Sequence, residues 1–281
     1  MTTPTGHFEA ATRAVTASGD AYTSRRARAA ALAVGRLGAT GAAAALGLHK
    51  SVLSRLAARG RGQGQDQSAP GAVCLGFVDP DSAEGHDARR ESVHTGQIPA
   101  ILGLGPNTRE GVRAEALGAP FRRLPAQDPE AAAMGTRHLP ALAALFAERH
   151  PEYAVLETGT WQATGERGWM RSSPNRLLTT PGDRDQRAVS VLTVTTFPRP
   201  YDEEWGPDGS DRVPPWLRAR SLWEMDVLGV RDVHVLACAQ GAYCREYRLT
   251  WDENRAADIR QKAEAFLAET RTILAADGSE I

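Results

Sequence analysis

The spacing of apolar and polar residues changes repeatedly along the chain, and each change marks an element. From Ser24 to Leu56 the composition favours helix, with breaks at Gly38 and Gly47. The run Gly60-Arg61-Gly62-Gln63-Gly64-Gln65-Asp66-Gln67-Ser68-Ala69-Pro70-Gly71 has nothing to bury and reads as a flexible linker. Ile98–Leu104 and Arg109–Leu117 predict short helices. Pro129–Arg149 predicts a longer one, with Ala132, Leu139, Leu142, Leu145 and Phe146 along one face. Tyr153–Trp161, Trp169–Leu178 and Ala188–Phe197 are rich in β-formers and predict strands, the last two joined by a turn at Pro181-Gly182-Asp183. Trp216–Leu228 predicts an amphipathic helix closed by Gly229. Val233–Ala239 and Tyr243–Leu249 predict a hairpin about Gln240-Gly241. A last helix starts after Asp252, a good N-cap, with Ile259, Ala263 and Phe266 on one stripe. The order predicts an α+β body, a mixed central sheet flanked by helices, behind a small all-α region. The expected division is 1–59 helical, 60–85 linker and 86–281 body.

Composition narrows the class. A chain of 281 residues with 42% hydrophobic and 24% charged residues supports one or two folded domains and excludes wholesale disorder. No run of eighteen apolar residues occurs and the start lacks a signal-type apolar stretch, which predicts a cytoplasmic chain with no membrane partner. Cys74, Cys238 and Cys244 are too few for a disulfide framework and stand at no zinc spacing, as expected of a reducing compartment. The seven histidines are scattered and none reads as a metal ligand. The net charge of −1 conceals a split, +6 over residues 1–70 and −7 over the rest. A basic head points to an anionic partner, nucleic acid first; a solvated arm with no partner is the alternative. Only Lys50 and Lys262 are lysines, so no mechanism can draw on a lysine between them.

Within the head, Thr40 to Leu56 has helix-turn-helix spacing. Ala43 lets two helices approach, Gly47 supplies the turn, and Leu46, Leu48, Leu53 and Leu56 fill the joint. The segment resembles bacterial helix-turn-helix motifs over about twenty residues. The resemblance implies a second helix in a major groove, presenting His49, Lys50, Ser51, Ser54 and Arg55, with Arg59 and Arg61 reaching phosphates. An alanine-rich hairpin whose leucines simply pack is the competing interpretation.

From Arg89 to Phe266 the order of signals resembles the YqaJ-type viral recombinases, relatives of lambda exonuclease in the PD-(D/E)XK nuclease superfamily. The matching pieces include Arg89-Arg90, Ile98 to Leu104, Gly135 to Pro140, Ser173 to Leu178, Leu192 to Thr196, Glu204-Trp205-Gly206, Trp223-Glu224-Met225, Leu228-Gly229 and Arg245-Glu246-Tyr247. The resemblance implies a nuclease-like core that cuts DNA with Mg²⁺. Such an ion needs carboxylate oxygens, and it lowers the pKa of the attacking water.

Every position that the resemblance assigns to this chemistry has changed. Asn175 stands where the family has Asp, Thr193 and Thr195 where it has Glu and Lys, Leu139 for the upstream Glu and Arg220 for the helix Gln. The expected protein is therefore a DNA-binding one on a degenerate exonuclease scaffold, with no catalytic residue and no cofactor. Its partners would be duplex DNA or DNA ends, gripped by Arg171, Arg176, Arg218 and Arg220 in the body, and a homo-oligomer is compatible with the kinship. Surface ion pairing is the plainer role for those arginines. Two alternatives stand. One is a Mg²⁺- or Mn²⁺-dependent exonuclease with relocated ligands, Asp183 and Asp185 being the fallback pair. The other is a protein-interaction module without DNA contact. Ser173 and Cys238 show no base partner in the sequence, so nucleophilic catalysis is not expected.

Overall fold

The computed structural model describes residues 67–76, 90–117, 129–197, 201–239 and 243–276, with the backbone alone for 129–136. The helix-turn-helix segment with His49 through Arg61, and the linker as far as residue 66, lie outside the described residues. In chain order the elements are β1 (Ala72–Gly76), β2 (Val93–His94), α1 (Ile98–Ile101), α2 (Arg109–Ala116), α3 (Pro129–Arg149), β3 (Ala154–Leu156), β4 (Thr160–Ala163), β5 (Met170–Ser172), β6 (Arg176–Thr179), β7 (Ala188–Phe197), α4 (Pro215–Leu228), β8 (Asp232–Ala239), β9 (Tyr243–Thr250) and α5 (Glu253–Ala276). The architecture is α+β, as the periodicity predicts.

The strands form two mixed sheets, one ordered β3-β6-β7-β8-β9 and a smaller one ordered β1-β4-β5-β2. In the larger, β7 and β8 run parallel, with α4 as the crossover between them. Its two faces are covered by different helices. Leu177, Val191, Val233 and Val235 share a core cluster with Leu217, Leu222 and Val227 of α4 and Ile259 and Phe266 of α5. Leu178, Leu192 and Leu236 pack instead with Ala143 and Phe146 of α3. Because side chains alternate along a strand, Thr193 faces α4 while Leu192 and Val194 face α3.

Two predicted strands are each divided between the sheets. Tyr153–Trp161 breaks at Gly159, where an added Cβ would lie 2.3 Å from the Gly76 carbonyl oxygen, leaving room for glycine alone. Trp169–Leu178 breaks at Ser173-Pro174-Asn175, where proline has no N–H to give a ladder. Periodicity carries no information on which sheet a strand joins.

The linker expectation needs a larger correction. Residues 67–76 belong to the folded body: β1 pairs with β4, and Gly71 N–H donates to the Leu228 carbonyl (2.9 Å). Gly71 lies against Gly229, the left-handed residue (φ 71°) that ends α4, so closely that a Cβ on Gly229 would come 2.7 Å from Gly71 N. The second correction concerns sulfur. Cys238 and Cys244, directly opposed across β8 and β9, form a disulfide, although three cysteines predicted none. Cys74 is a free thiol whose pKa is pushed up by burial. Among the described residues no helix is long and apolar enough to cross a membrane.

Candidate nucleic-acid site on the α4 face of the larger sheet

The segment Ser172–Asn175 leaves the small sheet at β5 and enters the large one at β6, and Asn175 and Thr193 make their side-chain bonds at this junction. Asn175 spends its Oδ1 on the backbone, accepting from Val194 N–H at 2.9 Å. That bond extends the β6–β7 ladder by one rung past Arg176, whose register partner is Leu192. One residue along β7, Thr193 donates its hydroxyl to Glu224 Oε2 at 3.1 Å, with both groups buried. Thr195 follows on the same face, half-buried, in register with Ala237.

Glu224 is the residue that sequence reasoning passed over. It lies on α4 one turn after Arg220, so the two share a helix face. Burial pushes the Glu224 carboxyl pKa up, opposed by the Arg220 charge and the Thr193 hydrogen bond. Arg220 is half-buried, and its Nε is a buried donor without a hydrogen-bond partner among the described residues. A signal for Glu224 existed. Ser221–Leu228 is an apolar run containing two acids, and a helix buried on all sides must pair any acid it carries. The other acid, Asp226, meets Arg167 at 2.6 Å and Arg260 at 2.8 Å.

No protein-family model matches the chain, and no curated protein matches it. Among solved structures it is similar to an alkaline exonuclease (LHK-Exo) from Laribacter hongkongensis. Identity there is 16% over 69% of this chain and 94% of that one, with a TM-score of 0.49. A second structure, LHK-Exo in complex with dAMP, gives 15% identity over 68% and 94%, again with a TM-score of 0.49.

The remaining candidate residues do not all join the cluster. Leu139 is half-buried on α3, the helix that covers the opposite face of the sheet, so the structure sets it apart from Asn175 and Thr193. Arg176 is 7% exposed, donates to the Asn175 carbonyl at 2.6 Å and meets Glu157 at 3.4 Å. Arg218 donates to the Asp211 carbonyl and lies 3.7 Å from its carboxylate. Both fit the plainer expectation of ion pairing. Arg171 sits half-exposed on β5, and its carbonyl accepts from Trp223 Nε1 at 2.9 Å. Asp183 turns both carboxylate oxygens onto its own turn, accepting from Asp185 N–H (3.1 Å) and Arg187 N–H (2.8 Å), while Asp185 is exposed. Trp161, Trp205 and Trp223 are core residues rather than platforms for bases.

Ser173 does have an imidazole neighbour, contrary to the expectation from sequence. His94 Nε2 lies 3.0 Å from its Oγ, and Thr160 Oγ1 lies 2.8 Å away on the other side. The capping arrangement decides what the pair can do. His94 Nδ1 accepts from Gly96 N–H at 3.3 Å, so in the neutral ring Nε2 carries the hydrogen and donates it to Ser173. A nitrogen that is already donating has no lone pair with which to take the serine proton. His94 and Ser173 lie 79 residues apart, so nothing in the local sequence pairs them.

Proposed function

We propose that this protein binds duplex DNA or DNA ends without cutting them, using a nuclease-like body and a basic helix-turn-helix head. The observation that carries this reading is the state of Asn175 and Thr193. They stand where the nuclease resemblance expects metal-holding carboxylates, they are neutral, and each is already committed to a bond inside the fold. Magnesium gives up its water reluctantly and is usually held through one or two carboxylates, so neutral oxygens alone are a poor seat for it. Glu224 bonds the Thr193 hydroxyl, and burial favours its protonated form, in which it is a poor ligand. Arg220 next to it adds positive charge, which repels a cation and attracts a phosphate. These donors do not fit a divalent ion.

Within this reading the head supplies sequence preference and the body supplies backbone contacts. Arg220, whose Nε has no hydrogen-bond partner among the described residues, is the body residue best suited to a phosphate, since Arg176 and Arg218 are engaged by neighbours. A mobility-shift titration of labelled duplex at several salt concentrations tests it. Binding weakens steeply with salt, and Lys50→Ala with Arg55→Ala lowers affinity and flattens the salt dependence. A double variant that binds as tightly as the parent overturns the head's role.

Glu224 also gives the alternative reading, a Mg²⁺- or Mn²⁺-dependent exonuclease, its one specific support, because it places a carboxyl beside Thr193. Chelator-sensitive shortening of DNA that is lost in Glu224→Gln is the result that alternative requires.

A further inference from the structure

The β8–β9 hairpin is closed twice, through its backbone and through the sulfurs of Cys238 and Cys244. Glu246 turns its N–H and its carbonyl away from β8, to the Asp208 carboxylate (2.7 Å) and to Gly209 N–H (2.8 Å). Backbone bonding alternates along an antiparallel pair. Leu236–Glu246 and Cys238–Cys244 are therefore pairs without backbone bonds, whereas Ala237–Arg245 and Ala239–Tyr243 are pairs with them. The disulfide is what joins its own two residues directly. We propose that Cys238 and Cys244 are a reversible thiol–disulfide couple, a latch on the end of this hairpin that a dithiol opens and a disulfide oxidant closes.

The fold stands without the bond. A disulfide stabilises largely by restricting the unfolded chain, and a short loop gains least from it. Here the cysteines are six residues apart, and eight register pairs already hold the same two strands together. Val233 and Val235 of β8 and Tyr247 and Leu249 of β9 are anchored in the main core as well. Reduction thus leaves two thiols facing each other across an intact ladder, the arrangement from which the bond re-forms. Cys74, the free thiol, packs against the cluster that holds α4 and α5, whereas Cys238 and Cys244 belong to the cluster on the α3 side. The couple is therefore separated from the third sulfur of the chain.

Access fixes the direction of exchange. Cys238 is fully buried in a cluster with Phe146, Leu192 and Leu236, while Cys244 is half-buried. An incoming thiolate meets Cys244 Sγ and bonds to it. The Cys238–Cys244 bond breaks, and its electron pair leaves on the Cys238 sulfur, which takes up a proton and becomes the neutral thiol that apolar surroundings favour. The reductant's second thiol gives up its proton and attacks the first sulfur of the reductant. That step frees Cys244, which is protonated in turn, and leaves the reductant as a cyclic disulfide. Two electrons and two protons have passed to the protein, and the reverse sequence closes the latch. Its loss is felt by the flanking pairs Ala237–Arg245 and Ala239–Tyr243, the first of them beside Thr195 of β7.

The test is thiol trapping on the full chain without denaturant. The protein is equilibrated in dithiothreitol or in oxidised glutathione, quenched in acid, alkylated with N-ethylmaleimide in urea and mapped by peptide mass. Adducts at both Cys238 and Cys244 are expected after dithiothreitol, and a Cys238–Cys244 cross-link after oxidised glutathione, with one sample cycling between the two. Circular dichroism should be the same in both states. Amide exchange at Ala237, Ala239, Tyr243 and Arg245 should quicken roughly tenfold or more on reduction, with Val191 and Val233 unchanged. Cys238→Ala with Cys244→Ala should exchange like the reduced parent in either reagent. The proposal is overturned if the bond opens only when urea has unfolded the chain, or if both cysteines stay alkylatable after oxidised glutathione. It is overturned equally if reduction or the double variant unfolds the protein, or if amide exchange is the same in both states.

Discussion

Glu224 places a carboxyl where folding must desolvate it, and the consequence is a sign that acids rarely show. Its folded pKa is raised, so the native state holds the proton more tightly than the unfolded chain, whose glutamate titrates near about 4.3. Its contribution to stability is therefore full below that unfolded value and is lost as pH rises through the folded pKa. Glu224→Gln mimics the protonated form and keeps an acceptor for Thr193. Urea midpoints of the variant should lack this downward component, so the variant gains on the parent as pH rises; parallel profiles would mean that Glu224 ionises freely. Side-chain identities at Asn175 and Thr193 were legible from sequence, because a carboxylate is either present or not. Their bonds were not, since each partner lies at a distance along the chain: Val194 for Asn175 and Glu224 for Thr193.

At the scale of elements, α4, β7, the β8–β9 hairpin and α5 were readable because each has its own period and a clear stop. Gly229 in the left-handed region and Asp252, which accepts from Arg255 N–H at 3.1 Å, end α4 and begin α5 as expected. The docking of residues 67–71 was hidden, because it uses backbone and glycine rather than apolar side chains. Gly229→Ala combines an unfavourable φ with a Cβ pressed onto Gly71, and should cost about 2 kcal/mol or more. For a chain of this length that lowers the midpoint of thermal unfolding by roughly 5 °C. An unchanged midpoint would show that this contact does not form.

The end of α3 meets β8 and β9 through a second titrating group. Burial pushes His150 down, but hydrogen bonds to Glu246 (2.6 Å) and Glu152 (3.0 Å) outweigh it and leave the imidazole pKa raised. Stability from His150 is thus full below about 6.5 and is lost as pH rises through its folded value. For Glu246, burial acts upward and is outweighed by Arg149 and His150, so its pKa is lowered. Its share appears above its unfolded value and is lost as pH falls through the folded one. His234 nearby is lowered by burial and also loses stability towards acid. His150→Phe preserves the stacking on Phe146 (4.3 Å between centroids) while removing the titration. The parent's advantage over this variant should shrink from pH 6 to pH 9; a constant difference would leave only packing.

For the whole molecule, the division of charge says more than its sum. The seventy residues that carry +6 precede a body in which buried Arg176 is matched to Glu157 and half-buried Arg260 to Asp226. Fold class was legible in the order of elements, whereas the partition of strands into two sheets was not, because it turns on Gly159 and Pro174 at breaks within otherwise continuous β-rich stretches. The proposed function rests on a basic head and on an α+β body in which Asn175 and Thr193 offer neutral oxygens. One experiment meets it most directly: end-labelled duplex incubated with the full chain and Mg²⁺ or Mn²⁺, half of each sample analysed native and half denatured. The account predicts a retarded native complex and DNA of unchanged length after denaturation. Progressive shortening that requires the ion and stops with a chelator would contradict it.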